Sequence, residues 1–582
     1  MGKTWRVSGP VVIADDMAGA QVYEIVEIGE DGIVGEIIGL EGNKAIIQAH
    51  EDTSGLGIGE NVRRTGAILT AELGPGIVGS IFDGLQKPLK VLMDKSSFLH
   101  RGAKALALPR DKQWEFKPLV SVGAVVNSGD IIGSVQETAL IEHRIMVPPG
   151  ISKGIVKTVG RGLFTIEEPI MTIDQDNQKV SITMMHRWPV RKPRPYVNRY
   201  PPGDLLITGM RTLDYFFPLA LGGKACIPGG FGTGKTVALQ QLARWAQTQL
   251  NIYVGCGERG NEIAEVLHSF KELKEPNSGR MLQEKEIFIA NTSNMPIVAR
   301  EASVYVGVTM AEYYRDMGYD VLLVADSTSR WAEALREISG RLEEMPGEEG
   351  FPAYLGSRLS AYYERAGLVQ CTGNPDRKGS VTIAGAVSPP GADFSEPVTQ
   401  NTLRIVEALF SLDVSLANKR HFPAINWLSS YSLYAGAVKQ WWSSFDPNWF
   451  EDRAVALKLL QQEAELEEIV RLVGPETLPE DDKLTLLVAR MIREDFLQQS
   501  AYHPVDTYCL PARAQQMMKT IIKFYMLVKN RLCCGEIGIS EIRKSPVIYK
   551  ISRMKDIPSE EFEEKIKNLW NEMETEFANE YR

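Results

Sequence analysis

Gly229-Gly230-Phe231-Gly232-Thr233-Gly234-Lys235-Thr236 meets every fixed position of the phosphate-loop pattern GxxxxGK[ST]. A short apolar run, Ala225-Cys226-Ile227, precedes it, and a helix-like run from Val237 to Trp245 follows, expected to reach about residue 250. Strand, glycine loop and helix in that order are the context the pattern requires. A phosphate chain must lie against backbone N–H groups, and a Cβ would hold it away; four glycines leave that nest open. Lys235 can then reach the β- and γ-phosphates, the Thr236 hydroxyl can ligate Mg²⁺, and the helix start turns its positive end to the anion. The expected ligand is ATP or ADP with Mg²⁺.

Outward from the loop the chain alternates strand and helix. Ile252-Tyr253-Val254-Gly255-Cys256 reads as the next strand, and Ile287-Phe288-Ile289-Ala290 and Val321-Leu322-Leu323-Val324-Ala325 as two more. Such βαβ units make a parallel, doubly wound sheet. Ligands of these sheets sit beyond the carboxyl ends of the strands, which directs attention to the residues just past each one. One strand leads to Gly257-Glu258-Arg259-Gly260-Asn261-Glu262, another to Asp326-Ser327-Thr328-Ser329-Arg330.

Asp326 closes an apolar strand, where a carboxylate can be held rigidly near Mg²⁺, reaching it through a water. Glu258 is placed to orient or deprotonate an attacking water. Glu262 competes for that role, and an ion pair of Glu258 with Arg259 is the plain alternative. Arg259 and Arg330 can each stabilise charge on a transferring phosphoryl group; for Arg330, pairing with a following carboxylate is the competing reading.

The rest of the chain is organised around this core. Residues 1–70 read as short strands with glycine turns, a small β-barrel. Residues 71–113 connect to the core, and 114–189 form a second β-rich block, a sandwich or barrel. The block has a loose likeness to biotinyl and lipoyl carrier domains, but no lysine stands on a tight hairpin tip. Pro189-Val190-Arg191-Lys192-Pro193-Arg194-Pro195 reads as an extended connector rather than a phosphate or nucleic-acid patch. The nucleotide core spans 190–435 and a helical domain 436–582. In the latter, Leu459, Leu460, Leu466, Ile469, Val470 and Val473 form an apolar stripe ending at Gly474-Pro475. Phe562, Ile566, Leu569, Met573 and Phe577 form another after Ser559, a candidate N-cap.

Composition sets the limits. In 582 residues, 44% hydrophobic and 24% charged, the profile is that of an ordinary multidomain soluble protein. A net charge of −10 argues against a broad nucleic-acid or anionic-membrane surface. No apolar run approaches the ~20 residues of a membrane span, and the amino end opens no signal-peptide core. A cytosolic location is expected. Six cysteines without CxxC spacing read as reduced thiols, and seven scattered histidines give no metal site.

The phosphate loop, Gly255-Cys256-Gly257-Glu258-Arg259-Gly260-Asn261-Glu262, Ala325-Asp326-Ser327-Thr328-Ser329-Arg330-Trp331-Ala332-Glu333-Ala334 and Arg420-His421-Phe422-Pro423-Ala424-Ile425-Asn426-Trp427 together resemble the catalytic A subunits of V-type and archaeal A-type rotary ATPases. The resemblance spans essentially the whole chain. It implies a RecA-like P-loop core with an amino-terminal barrel, an inserted β-rich domain that sets A subunits apart from F-type β subunits, and a carboxyl-terminal helical domain. It further implies three A subunits alternating with three B subunits around a central shaft, with ATP at A–B interfaces, coupled to H⁺ or Na⁺ transport. Central-stalk and peripheral-stalk subunits would be partners, the membrane rotor an indirect one, and the location peripheral on the cytoplasmic face of a membrane. By matching positions Gly229, Gly230, Phe231, Gly232, Thr233, Gly234, Lys235 and Thr236 hold the nucleotide, Asp326 joins Thr236 in holding Mg²⁺, and Glu258 activates water. Arg259 and Arg330 lie near the phosphates, Phe422 lies beside the adenine, and Tyr508 lines the same pocket; core packing is the competing reading for both aromatics. Some relatives carry cysteine where Thr233 stands, so no thiol switch is expected in this loop. The family takes an arginine finger from a neighbouring chain, so this one alone should be a poor ATPase. Three rivals remain: a hexameric nucleic-acid translocase, a regulatory subunit without turnover, and a secretion-type export ATPase.

Overall fold

The computed structural model describes residues 2–90, 105–274, 279–533 and 538–577. The 91–104 part of the expected connector and Cys534 lie outside the described residues. The chain divides into two compact bodies: 1–201 with 248–387 and 394–405, and 202–247 with 388–393 and 406–582. The segment expected as one nucleotide core is thus shared between them.

In the first body, six strands close into a barrel in the order Gly2–Ser8, Val11–Asp15, Lys44–Ala49, Ile33–Glu41, Glu24–Ile28, Asn61–Ile68. Val12, Val26, Ile28, Ile37, Ile47 and Val62 fill its interior. Four of the strands are legible as apolar runs. Gly2–Ser8 and Asn61–Ile68 are not: both present mainly exposed polar residues, and they enter the barrel through backbone pairing. The inserted block is two four-stranded sheets, in the orders Glu142–Met146, Ile131–Gln136, Trp114–Pro118, Gly162–Phe164 and Val125–Val126, Gly154–Val159, Met171–Gln175, Gln178–Ile182. The strand at the end of the expected block, His186–Pro189, joins neither; it pairs with Thr70–Leu73.

The connector of 189–195 is tied down by its arginines. Arg191 bonds Glu36 of the barrel and Glu301 of the helix Ile297–Asp316. Arg194, 2% exposed, bonds Asp316 at 2.6 Å. These buried pairs tie the barrel and the connector to one helix, itself buried along almost its full length. Breaking one such pair leaves an uncompensated charge, which costs more than the pair contributes.

Five parallel strands run Lys378–Val387, Asp320–Asp326, Leu250–Glu258, Glu286–Thr292, Ile81–Phe82. Their near-continuous Val, Ile, Leu and Ala content suits a sheet covered on both faces. Gly307 of the helix Ile297–Asp316 lets it lie close: a Cβ there would fall 2.6 Å from Val254.

In the second body the strand Lys224–Pro228 pairs in parallel with Ala408–Leu409, which pairs antiparallel with Tyr431–Ser432. The helices Trp449–Val473, Glu480–Met491, Pro511–Cys533 and Ser559–Phe577 form the carboxyl-terminal part. Phe562, Ile566, Leu569, Met573 and Phe577 are all buried, with Phe577 edge-on to Phe524. The other stripe is only partly used: Leu459 and Leu460 are buried, Leu466 and Val470 are half-buried, and Ile469 faces outward. Among the described residues no helix is long and apolar enough to cross a membrane.

Candidate functional site

The strand Lys224–Pro228 feeds the glycine loop, and the helix Lys235–Trp245 leaves it. Gly232 and Gly234 hold φ of 78° and 79°, the left-handed region that a side chain disfavours. Gly234 is the N-cap, so the loop's N–H groups and the helix start converge. Gly229 is required for a different reason: its Cβ would meet Thr233 Oγ1 at 2.7 Å and Leu412 at 2.9 Å. Thr233 is buried and donates to Gly230 O at 2.9 Å, so it closes the loop on itself rather than facing a ligand. Lys235 donates through Nζ to Ser388 Oγ. Phe231 stands at the surface. The helix ends at Trp245, short of residue 250, because Ala246 turns extended and the next strand begins at Leu250.

A cavity of about 480 Å³ opens beside this loop, within the 300–1,000 Å³ range of small-molecule sites. Gly232, Gly234, Val237 and Ala238 line it, and so do Phe422 and Pro423. Phe422, 41% exposed, packs against Gly234, whose Cβ would lie 3.3 Å from the ring. The segment from Gln498 to His503 forms another wall, including Tyr502. Arg211, 1% exposed, holds that wall: its guanidinium donates to Asp506 Oδ1 at 2.5 Å, Phe496 O at 2.7 Å and Gln498 O at 2.9 Å.

Tyr508, expected in the pocket, is not among the lining residues. Its ring stacks on Trp245 at 5.1 Å and its hydroxyl accepts from Gln247. The exposed Tyr502, which belongs to no motif in the sequence, lines the cavity instead. Only the folded backbone gives the signal: Gln499 N donates to Phe422 O, placing the two segments side by side.

The strand-end groups lie in the first body. Glu258 is the last residue of Leu250–Glu258 and pairs in register with Thr292. Asp326 ends its own strand opposite Gly255, is 1% exposed, and accepts from the Tyr253 hydroxyl at 3.1 Å. Burial, then the Asp326 charge, pushes the Tyr253 hydroxyl far above its ordinary pKa, so it remains a donor. Glu262 sits instead in the first turn of the helix Gly260–Glu272. Arg259 stands 4.0 Å from Glu262, a loose pairing. Arg330 takes up both Glu333 oxygens at 2.8 Å, and that hydrogen bond holds its guanidinium more firmly protonated.

Gly257, at φ 70°, shows a further arginine that sequence did not mark. Its Cβ would fall 2.8 Å from Arg300 Nε and 2.9 Å from Arg330 Cβ, so a glycine here lets Arg300 approach the end of the Glu258 strand. Cys256 is inert: burial pushes its thiol up to about 12. Among the described residues no group of three or more His, Cys, Asp or Glu could hold a metal. The donors present at the expected positions are one hydroxyl, Thr236, and one carboxylate, Asp326. Each, in its own body, is an oxygen donor of the kind Mg²⁺ takes.

Comparison with known proteins covers the same regions. Residues 209–432 match the nucleotide-binding domain of the ATP synthase alpha/beta family, and residues 5–66 match that family's beta-barrel domain. Residues 105–191 match the ATP synthase alpha/beta subunit barrel-sandwich domain, and 439–532 the C-terminal domain of V and A type ATP synthase. The A subunit of the A-type ATP synthase of Staphylothermus marinus is 59% identical over 578 residues, covering 99% of this chain and 97% of that protein. Its counterpart of the same name from Methanopyrus kandleri is 55% identical, covering 99% and 98%. A solved structure, the assembled ATPase EscN of the enteropathogenic E. coli type III secretion system, matches with TM-score 0.64 at 20% identity. It covers 90% of this chain and 100% of that one, a likeness of fold.

Proposed function

The chain belongs to the ATP synthase alpha/beta family, as the A subunit of an A-type ATP synthase, and from that premise we propose that it is the catalytic subunit of a V/A-type rotary ATPase. It hydrolyses or synthesises ATP in a ring shared with B subunits, coupled through a shaft to H⁺ or Na⁺ transport. The observation that carries this reading is the glycine loop, with Gly232 and Gly234 at positive φ, opening onto a 480 Å³ cavity rimmed by Phe422.

In this reading the loop N–H groups and Lys235 hold the phosphates. Thr236 and Asp326 would hold Mg²⁺, which when bound would neutralise charge on the phosphate oxygens. Glu258 orients the attacking water, and Arg259 and Arg330 offset charge on the transferring phosphoryl group. Phe422 and Tyr502 take the base between aromatic faces, with Tyr502 in the part that the family resemblance gives to Tyr508. The partners are B subunits in an alternating three-plus-three ring, with central and peripheral stalks, and the complex is membrane-associated. No nucleic acid takes part.

Mg-ATP hydrolysis by the chain alone and with a B subunit tests the assignment. Mixing should raise the rate sharply, because the chain lacks its neighbour's arginine; full activity of the chain alone would overturn the interface model. For the aromatics, Tyr502→Ala should weaken nucleotide binding about tenfold, since stacking on one ring contributes ~1–3 kcal/mol. Tyr508→Ala should instead lower the melting temperature with nucleotide Kd little changed. Calorimetric titration beside a thermal melt separates the two; a reversed pattern would return the pocket to Tyr508.

A further inference from the structure

The cavity is not closed by the nucleotide core alone. Lys555 and Asp556, on the short turn Met554–Asp556 just before the last helix, also line it. They lie beyond residue 532, where the match to the C-terminal domain model ends. The turn is held in place by the body it packs on: Arg513 donates to Met554 O and Lys555 O at 3.2 and 3.0 Å, and Lys555 Nζ donates to Glu494 O at 2.8 Å. The helix it leads into is anchored by Phe562 under Arg513 and by Trp570 donating to Thr520. A wall built this way is rigid enough to discriminate between ligands.

Its chemistry is directional. His503 Nδ1 accepts from Val505 N and Asp506 N at 3.2 and 3.1 Å, which leaves its proton on Nε2. Asp556 Oδ2 pairs with Arg553 at 3.1 Å, while Oδ1 stands 4.0 Å from His503 Nε2, too far for a hydrogen bond. This part of the cavity therefore offers a carboxylate acceptor and an imidazole N–H donor. Phosphates on the glycine loop leave the base to occupy the rest of the cavity. An adenine presents an exocyclic amine donor beside a ring-nitrogen acceptor; a guanine presents a carbonyl oxygen at the corresponding edge, with lone pairs facing a carboxylate.

We propose that Asp556 and His503 read the edge of the base and set a preference for adenine over guanine nucleotides. The proposal rests on the nucleotide reading of the cavity above. It makes the turn before the last helix a specificity element of a site whose phosphate loop, ending at Thr236, lies far earlier in the chain.

The test is calorimetric titration of the full chain with Mg-ATP and Mg-GTP, for wild type, Asp556→Ala, His503→Phe, Lys550→Ala and Lys235→Ala. Asp556→Ala and His503→Phe should each lower the ATP-to-GTP affinity ratio about tenfold, while Lys550→Ala, which removes an exposed pair with Glu572 and no lining residue of the cavity, should leave it unchanged. An unchanged ratio in both variants, or an equal shift with Lys550→Ala, overturns the proposal while ATP binding that is lost with Lys235→Ala keeps the nucleotide reading intact. A wild-type chain that binds neither nucleotide overturns both.

Discussion

Glu258→Gln should lower kcat for ATP hydrolysis in the mixed complex by 10²–10⁴-fold, the usual contribution of a positioned general base, with nucleotide Kd within a few-fold of wild type. The substitution keeps the shape and removes the charge and basicity, so it isolates the carboxylate's part in activating water. The strand that carries Glu258 pairs with Asp320–Asp326 as far as Gly255 and with Glu286–Thr292 out to Glu258 itself, and this backbone pairing does not depend on the Glu258 side chain. Glu262→Gln is the companion experiment. It sits in the first turn of a helix, one-third exposed, and should change kcat by less than tenfold. If the two variants exchange behaviour, Glu262 is the base. Loss of nucleotide binding in Glu258→Gln would show a structural rather than a chemical role.

The second large effect is on stability. Arg211→Ala should destabilise the second body by about 3–5 kcal/mol, because it strips a buried Asp506 carboxylate of its partner and leaves the carbonyls of Phe496 and Gln498 without their donor. Arg211→Lys should recover only part of that loss, since one ammonium cannot reproduce a fork that serves three acceptors. Chemical denaturation followed by fluorescence reads the change, because Trp442 and Trp449 stack at 5.1 Å in the neighbouring aromatic cluster with Tyr215 and Phe496. The same variant should weaken ATP binding more than its surface neighbours do, as the wall from Gln498 to Asp506 loses its anchor. A stability loss under about 1 kcal/mol would mean that the wall is held by packing alone.

Much of the site was legible because its chemistry depends on local backbone. A glycine loop between strand and helix has few alternatives, and a carboxylate at the end of an apolar strand is placed by the strand. Glu258 and Asp326 are found at strand ends for that reason. The apolar stripe of the last helix was equally readable, since a period of 3.6 puts its five members on one side. Reading failed where the signal was weak or long-range. Gly2–Ser8 and Asn61–Ile68 show no apolar alternation, yet they complete a closed barrel, because closure uses backbone hydrogen bonds that any sequence supplies. Arg191 and Arg194 read as part of an extended connector with no partners assigned, and carboxylates more than 100 positions away pair them.

Taken alone, the sequence determined the phosphate loop, the parallel strands that follow it, the strand-end carboxylates and the family, all properties set by neighbours a few residues apart. Tertiary structure decided which tyrosine faces the cavity, which arginine anchors its wall, and that a turn at residues 554–556 helps to enclose it. Those choices depend on segments hundreds of residues apart arriving at one place. Whether a Tyr ring stacks on Trp245 or opens onto a cavity is decided by packing volume and hydrogen-bond satisfaction there, and no local pattern of residues carries that information.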